Sequence, residues 1–469
     1  MSFYKNLLLS IPEVSSPVKK NNLKSRLYWT FGILVLYLFL ATIPLFGIDA
    51  SQASYFQTLE LLLGAKFGKL LTLGIGPIVT ASIVLQLLKG ASIIKLDLNT
   101  EVGKFYYAGT HKLLTFIFVL LEAFVYVAFG AVKAVDGFFW IVVVQLALGA
   151  FIVFYMDEVI KKWGIGSGVS MFIAAGIGQA VFIKILSPFN SAGGFAWPFG
   201  SDVPVGGLFA GLYYVANGQL NNLLTQVIGP IGITVALFFL IVFFQSVNVE
   251  IPLSFGRVRG QSIKWPLNFF YSGVIPVILV SALRSNFMLW ARLLQNRVSD
   301  TGFWAFVSKH VLGQVSDNGS AISGLINWIY PVNLWTNLGN LFTLNVLPRI
   351  ISYMLYMVLG ATVFAYFWVQ TSGMDAKSQA KSILNSGLQI PGFRKDERII
   401  ERLLDRYIIP LTIMGGIGIG ILASTADVLS ALTSGTGILL LIMIIYQFYQ
   451  QLARESMDDF TLLKKFMRK

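Results

Sequence analysis

Long apolar stretches separated by short polar ones run along nearly the whole chain, and their length decides the fold class. Runs near the ~20 residues a helix needs to cross a bilayer fall at about 28–46, 71–88, 111–132, 138–156, 165–186, 226–246, 268–291, 348–371, 406–427 and 434–452. They predict an all-α polytopic membrane protein of about ten transmembrane helices. Five runs precede the long polar segment at 187–225 and five follow it, which suggests an internal duplication. An odd number of spans per half forces the two halves into inverted orientations around a common centre.

Two runs are interrupted. Leu71–Leu88 carries Gly74, Gly76 and Pro77 in its first half, and the run at 268–291 carries Gly273 and Pro276. In a membrane, irregular backbone is tolerated where protein or a water-filled cavity covers it, so both runs belong inside the bundle. Paired interruptions at matching places in two halves point to the working site of an inverted-repeat protein. The plainer alternative is that Gly and Pro are simply frequent in membrane helices. Just upstream of the first break, Ser54–Leu63 is too short to span. Ser54 and Gln57 have capping-box spacing, and Gly64 suits a helix end. The segment reads as a small helix, either interfacial on the outer surface or tied to the broken span.

Composition agrees with the pattern. Of 469 residues, 56% are hydrophobic and 12% charged, with a mean hydropathy of +0.72, which excludes an ordinary globular enzyme. The net charge of +13 could suggest nucleic acid, but much of it follows the Lys and Arg bias of cytoplasmic loops. Residues 1–27, the loops 247–267 and 372–405, and the tail 453–469 are basic, which predicts both termini in the cytoplasm. The segment 187–225 has no Lys or Arg and reads as an external loop, separating a first half at 28–186 from a second at 226–452. The segment 292–347 carries Arg292, Arg297 and Lys309 yet is assigned outside, since long loops weigh little in this rule. Because the first apolar run begins only at Tyr28, no cleavable signal peptide is expected.

Candidate chemistry is sparse. There is no cysteine, and the histidines are His111 and His310, so neither a disulfide nor a metal site is expected. No zinc-protease, P-loop or nucleophile-elbow motif is present, and no catalytic residue or cofactor is predicted. The glycine-rich GIGSG at 164–168 opens a membrane helix without the strand–turn–helix setting of a phosphate loop. It reads as close helix packing. Three charges fall inside spans. Glu122 serves a function or hydrogen-bonds between helices, Arg284 serves a function or snorkels, and Asp427 serves a function or caps a helix end. More apolar residues recur at mid-depth: Ile75 and Val79, Val169 and Ile173, Ile278, and Leu440. They fit a dry constriction that gates by excluding water, or ordinary bundle packing.

At LTLGIGPIVTASIVLQLL and YMDEVIKKWGIGSGVSMFIAAG the chain resembles the SecY family in its archaeal form, the channel subunit of the protein-conducting translocase. The likeness continues through IPEV at 11–14, VEIPLSFGRVRG at 249–260, IPVIL at 275–279, GFRKDERIIERLLDRYIIPLT at 392–412 and GTGILL at 435–440. The resemblance implies two clamshell halves around an hourglass pore in a cell membrane. Its waist would be a ring of Ile75, Val79, Val169, Ile173, Ile278 and Leu440. The short helix at about 54–64, with Ser54, Phe56, Leu59, Leu63 and Gly64, would be a plug. The second, third, seventh and eighth spans would form a lateral gate that includes Thr80, Gln86, Val274 and Pro276. Arg257, Arg259, Arg394 and Lys395 would dock a ribosome or another driving partner, though positive-inside topology alone also accounts for them. Small SecE-type and Sec-beta-type membrane subunits would accompany the chain, with signal sequences and nascent polypeptides as cargo. One departure stands out, since relatives often carry asparagine where this chain has Val274.

Two other classes compete. An inverted-repeat secondary solute transporter would place polar groups at the helix breaks, whereas Ile and Val stand there. A scaffold or insertase without a pore would need neither paired breaks nor a plug.

Overall fold

The computed structural model describes residues 6, 8–18, 21–48, 68–90, 93–94, 100–190, 194–196, 202–255, 262–297, 303–316, 321–334, 346–386, 388–389 and 396–466. Each predicted run contains a helix. The first five are α1 (Leu23–Leu40), α2 (Gly76–Gly90), α3 (Glu101–Ala128), α4 (Phe139–Trp163) and α5 (Gly168–Leu186). The second five are α6 (Leu220–Ser246, with a π-helical turn at Leu224–Ile228), α7 (Ile275–Arg297), α8 (Val346–Thr371), α9 (Glu397–Val428) and α10 (Gly435–Phe466). All but α2 contain a stretch long and apolar enough to cross a membrane. The short α2 begins only after the glycine break.

Helix ends are set by capping rather than by hydropathy. Thus α3 starts well before its apolar run, where the Thr100 hydroxyl accepts the Gly103 N–H at 3.1 Å. Likewise α9 starts at a polar turn where Asp396 accepts from Arg398 N at 3.0 Å. Helix α10 runs on through the segment read as a tail.

Small residues decide the closest packing. Gly416 and Gly420, one turn apart on α9, lie against the α8 backbone. A Cβ on either would stand 2.8 Å from Thr362 Cα or 2.6 Å from Val358 Cα. This is the small-xxx-small device by which membrane helices approach without a hydrophobic driving force. Between the halves, α2 packs on α7 and α8 along one seam, while α5 and α1 meet α10 along the other. The apolar core is continuous across both halves.

One end of the bundle carries an addition that periodicity did not predict. The basic segment after α6 is a hairpin of β1 (Asn248–Phe255) and β2 (Ser262–Asn268), and β1 also pairs with the two-residue β3 (Leu388–Gln389). Ile251 and Leu267 turn inward onto the helix Ala376–Asn385 and onto Ile400, Leu404 and Ile408 of α9, forming a separate small core.

At the same end an N-terminal strap is buckled to the first half. Val14 N donates to Glu158 Oε2 at 3.0 Å, and Lys162 Nζ donates to Val14 O at 2.5 Å. Trp163 Nε1 donates to Ser15 O at 2.8 Å. Glu13 pairs with Lys162, and with Lys112 at 3.2 Å. The hydrogen bond from Lys162 holds the Glu13 carboxyl below the usual glutamate range, against an opposing burial effect. A depressed carboxylate contributes stability above its unfolded pKa of ~4.3 and loses it as pH falls through the folded value. Acidification below about pH 4 should therefore lower the protection of the Val14 amide relative to its intrinsic exchange rate at that pH, and Glu13→Gln should remove that loss. Because Glu13 is largely exposed, the effect should be small and should shrink with salt.

Candidate functional site

The two broken spans are built alike. Gly74 and Gly273 both have positive φ, +52° and +67°, where a side chain would be strained. Each donates its N–H to the carbonyl three residues back, Leu71 O or Phe270 O, both at 3.0 Å. In each case a proline follows three residues later as the second residue of the new helix, where its missing N–H costs nothing. With Gly74 placed on Gly273, Ile75 falls on Val274 and Val79 on Ile278.

A second pair of elements repeats in the same way. Asp157, near the end of α4, accepts Val169 N at 2.9 Å and so caps the start of α5. Asp427, near the end of α9, accepts Thr436 N at 2.8 Å and caps the start of α10. In both, a glycine opens the new helix directly against the aspartate backbone, Gly168 on Asp157 and Gly435 on Asp427. With the caps aligned, Val169 falls on Thr436 and Ile173 on Leu440. The GIGSG turn is thus a packing and capping element. A carboxylate occupies the helix N-terminus that a phosphate would need, and Arg26 Nε donates to Gly164 O at 2.8 Å.

Five of the six apolar residues therefore lie on four helices, two from each half, with Ile75 directly ahead of α2, and the alignment pairs Val79 with Ile278 and Ile173 with Leu440. Ile75, Val79, Ile173, Ile278 and Leu440 are buried in the one core that crosses both halves, and half-buried Val169 packs against it. Gly149 of α4 seats the first break. Its Cβ position is only 2.0 Å from Leu70 O, so no side chain fits there.

Of the residues expected at the gate, Thr80 donates to Gly76 O at 3.0 Å, within its own helix. Gln86, Val274 and Pro276 are buried, and Gln86 Oε1 has no hydrogen-bond partner. At the basic end of the α2–α8 seam, Lys89 Nζ donates to Gln370 O at 3.3 Å. Ser54, Phe56, Leu59, Leu63 and Gly64 lie outside the described residues. So do Arg257, Arg259, Arg394 and Lys395.

Arg284 does not snorkel. It is 4% exposed, and it donates to Tyr353 Oη at 2.6 Å and pairs with Asp427 at 3.4 Å. Tyr353 and Thr436 donate hydroxyl protons to the same carboxylate. Asp427 thus caps α10 as the plainer reading expected, and it also joins four helices of the second half. Sequence reasoning did not single out Asp157 or Tyr353. The available sign was a carboxylate shortly ahead of a glycine that opens an apolar helix, present in both halves.

The comparison with known proteins now bears on these positions. The SecY family profile matches residues 69–449, which span both breaks and both caps. The chain belongs to the SecY family. A SecY translocase subunit of Methanococcus vannielii is 39% identical over 456 residues, covering 97% of each chain. A solved structure described as a protein-conducting channel superposes with a TM-score of 0.79 at 36% identity, covering 96% of each chain. Sec61 in a canine ribosome–channel complex from the endoplasmic reticulum superposes at 0.75 with 35% identity, again over 96% of each chain. As a SecY chain, the protein is a multi-pass membrane protein and a channel subunit of the translocase rather than an enzyme.

Proposed function

We propose that polypeptide passes between the two halves through a waist made of Ile75, Val79, Val169, Ile173, Ile278 and Leu440. The observation that carries this reading is their placement on two broken and two capped helices related by the repeat. Branched aliphatics at a constriction exclude water and ions when idle. They offer no hydrogen bonds, so polar segments do not adhere, and they close around an extended chain without reading its sequence. Val274, the counterpart of Ile75, belongs to the same apolar lining.

The seam of α2 and α3 against α7 and α8 is the lateral gate. Thr80, Gln86 and Pro276 lie along it, and a sufficiently apolar segment leaves there because lipid is its better solvent. The segment 54–64 serves as the plug. The basic end faces the cytoplasm of a cell membrane, which places both termini inside. Arg257 and Arg259 lie between β1 and β2, and Arg394 and Lys395 between β3 and α9. These four basic residues dock a ribosome or another motor. SecE-type and Sec-beta-type subunits complete the complex.

The transporter alternative loses support, because the buried Arg284 and Asp427 pair with each other inside the second half and no charged residue stands at either break.

The test is reconstitution with the small subunits in liposomes. A precursor with a signal sequence should be translocated, and absence of transport would overturn the reading. Glycine at both Ile75 and Ile278 should raise idle ion conductance several-fold. Unchanged conductance in a folded variant would remove these residues from the waist.

A further inference from the structure

The stripe of α10 that carries Leu440 continues at helical spacing through Met443, Gln447 and Gln450. Gln447 lies seven residues, ~10 Å, from Leu440 toward the basic end of the bundle. There it borders a cavity of about 290 Å³. Four carboxamides from three elements line this cavity: Gln245 of α6, Asn268 at the end of β2, and Gln447 and Gln450 of α10. Ser272, in the turn that precedes α7, adds a hydroxyl. Its residue is 2% exposed and its Oγ has no hydrogen-bond partner. Gln447 Nε2 rests on the break itself, 2.9 Å from where a Cβ on Gly273 would stand. Among the described residues, no charged side chain lines the cavity.

This chemistry is selective in a particular way. A carboxamide donates and accepts at once and carries no net charge. A charged lining would hold segments of opposite charge and repel those of like charge. An amide lining matches what every residue of a passing chain carries except proline, a main-chain N–H and C=O. The unpartnered serine hydroxyl supplies a further group in want of a partner.

Resting on the channel reading above, we propose that this cavity is a peptide-backbone site, in which Gln245, Asn268, Gln447, Gln450 and Ser272 hydrogen-bond the main chain of an extended segment about to enter the waist. It guides polypeptide into the apolar constriction without regard to side-chain charge. The amides of α10 act as positioning groups, and the apolar stripe beyond them does the sealing.

The test uses the reconstituted complex with three precursors whose mature parts are acidic, basic and neutral. Gln447→Leu with Gln450→Leu should slow transport of all three by roughly fivefold, the weight of about one net hydrogen bond, and leave idle conductance unchanged. Equal rates for the variant and the original chain would overturn the site. So would a slowing confined to one charge class. A photoreactive residue at Gln447 should crosslink a stalled precursor, as should one at Leu440. Crosslinking from Leu440 without any from Gln447 would overturn the amide site and leave the channel intact. If the original chain transports no precursor and neither position crosslinks, the channel reading itself fails.

Discussion

Replacing Asp427 with alanine should destabilise the protein by about 3–5 kcal/mol, the usual cost of leaving one member of a buried ion pair without the other. The carboxylate holds four groups at once. It pairs with Arg284, accepts from the Tyr353 and Thr436 hydroxyls, and caps the first turn of α10 through Thr436 N. Without it, Arg284 stays buried with Tyr353 as its remaining partner among these groups, and α10 loses a cap worth ~1 kcal/mol. The measurement is thermal unfolding of the purified complex in detergent. Because the cost comes from an orphaned charge, Asp427→Asn combined with Arg284→Met should recover much of the loss, as apolar replacement of a whole buried pair often does. If Asp427→Ala melts with the parent, the network is not a structural centre of the second half.

Gly149→Val should be comparably severe for a steric reason. The Cβ position lies 2.0 Å from Leu70 O and 3.0 Å from Leu70 C, both backbone atoms that no rotamer change can move. Helix α4 or the strand of chain leading into α2 must shift, and overpacking of this kind costs roughly 1–3 kcal/mol or more. Leu70 in turn donates to Ile43 O at 2.9 Å, and the chain reaches Ile75 five residues later. The displacement is therefore passed to the waist. A lower melting temperature together with raised idle conductance is the expected pair of readings. Gly176→Val on α5 is the control, since nothing lies within 4 Å of its Cβ position. If both variants behave like the parent, the seat at Leu70 is looser than its geometry implies.

What could be read from the sequence followed from the solvent. Lipid requires long apolar helices, so the ten runs and their division into halves were visible in hydropathy alone. The breaks at Pro77 and Pro276 were legible because glycine and proline announce an interrupted helix. The hairpin β1–β2 was hidden, since its inward residues Ile251 and Leu267 are few and a basic composition dominates the segment. The fate of Arg284 was hidden for another reason. Snorkelling and internal pairing look the same until Tyr353 and Asp427, far apart in sequence, are brought beside it. A capping role for Asp427 was legible from its place near a helix end, but its match to Asp157 emerged only when two hydrogen bonds could be compared across the halves.

Those two caps carry a consequence for how the halves answer to solution conditions. Their geometry is the same, but their electrostatic settings are not. Asp157 finds its counter-charge in Lys161 at 2.5 Å, whose side chain is 48% exposed, while Asp427 finds its own in a guanidinium shut away from solvent. Mobile ions screen the first pair and scarcely reach the second. Duplication has therefore kept a shape and divided a sensitivity. Ionic strength can loosen the clasp of one half while the other holds its arrangement from dilute buffer to concentrated brine.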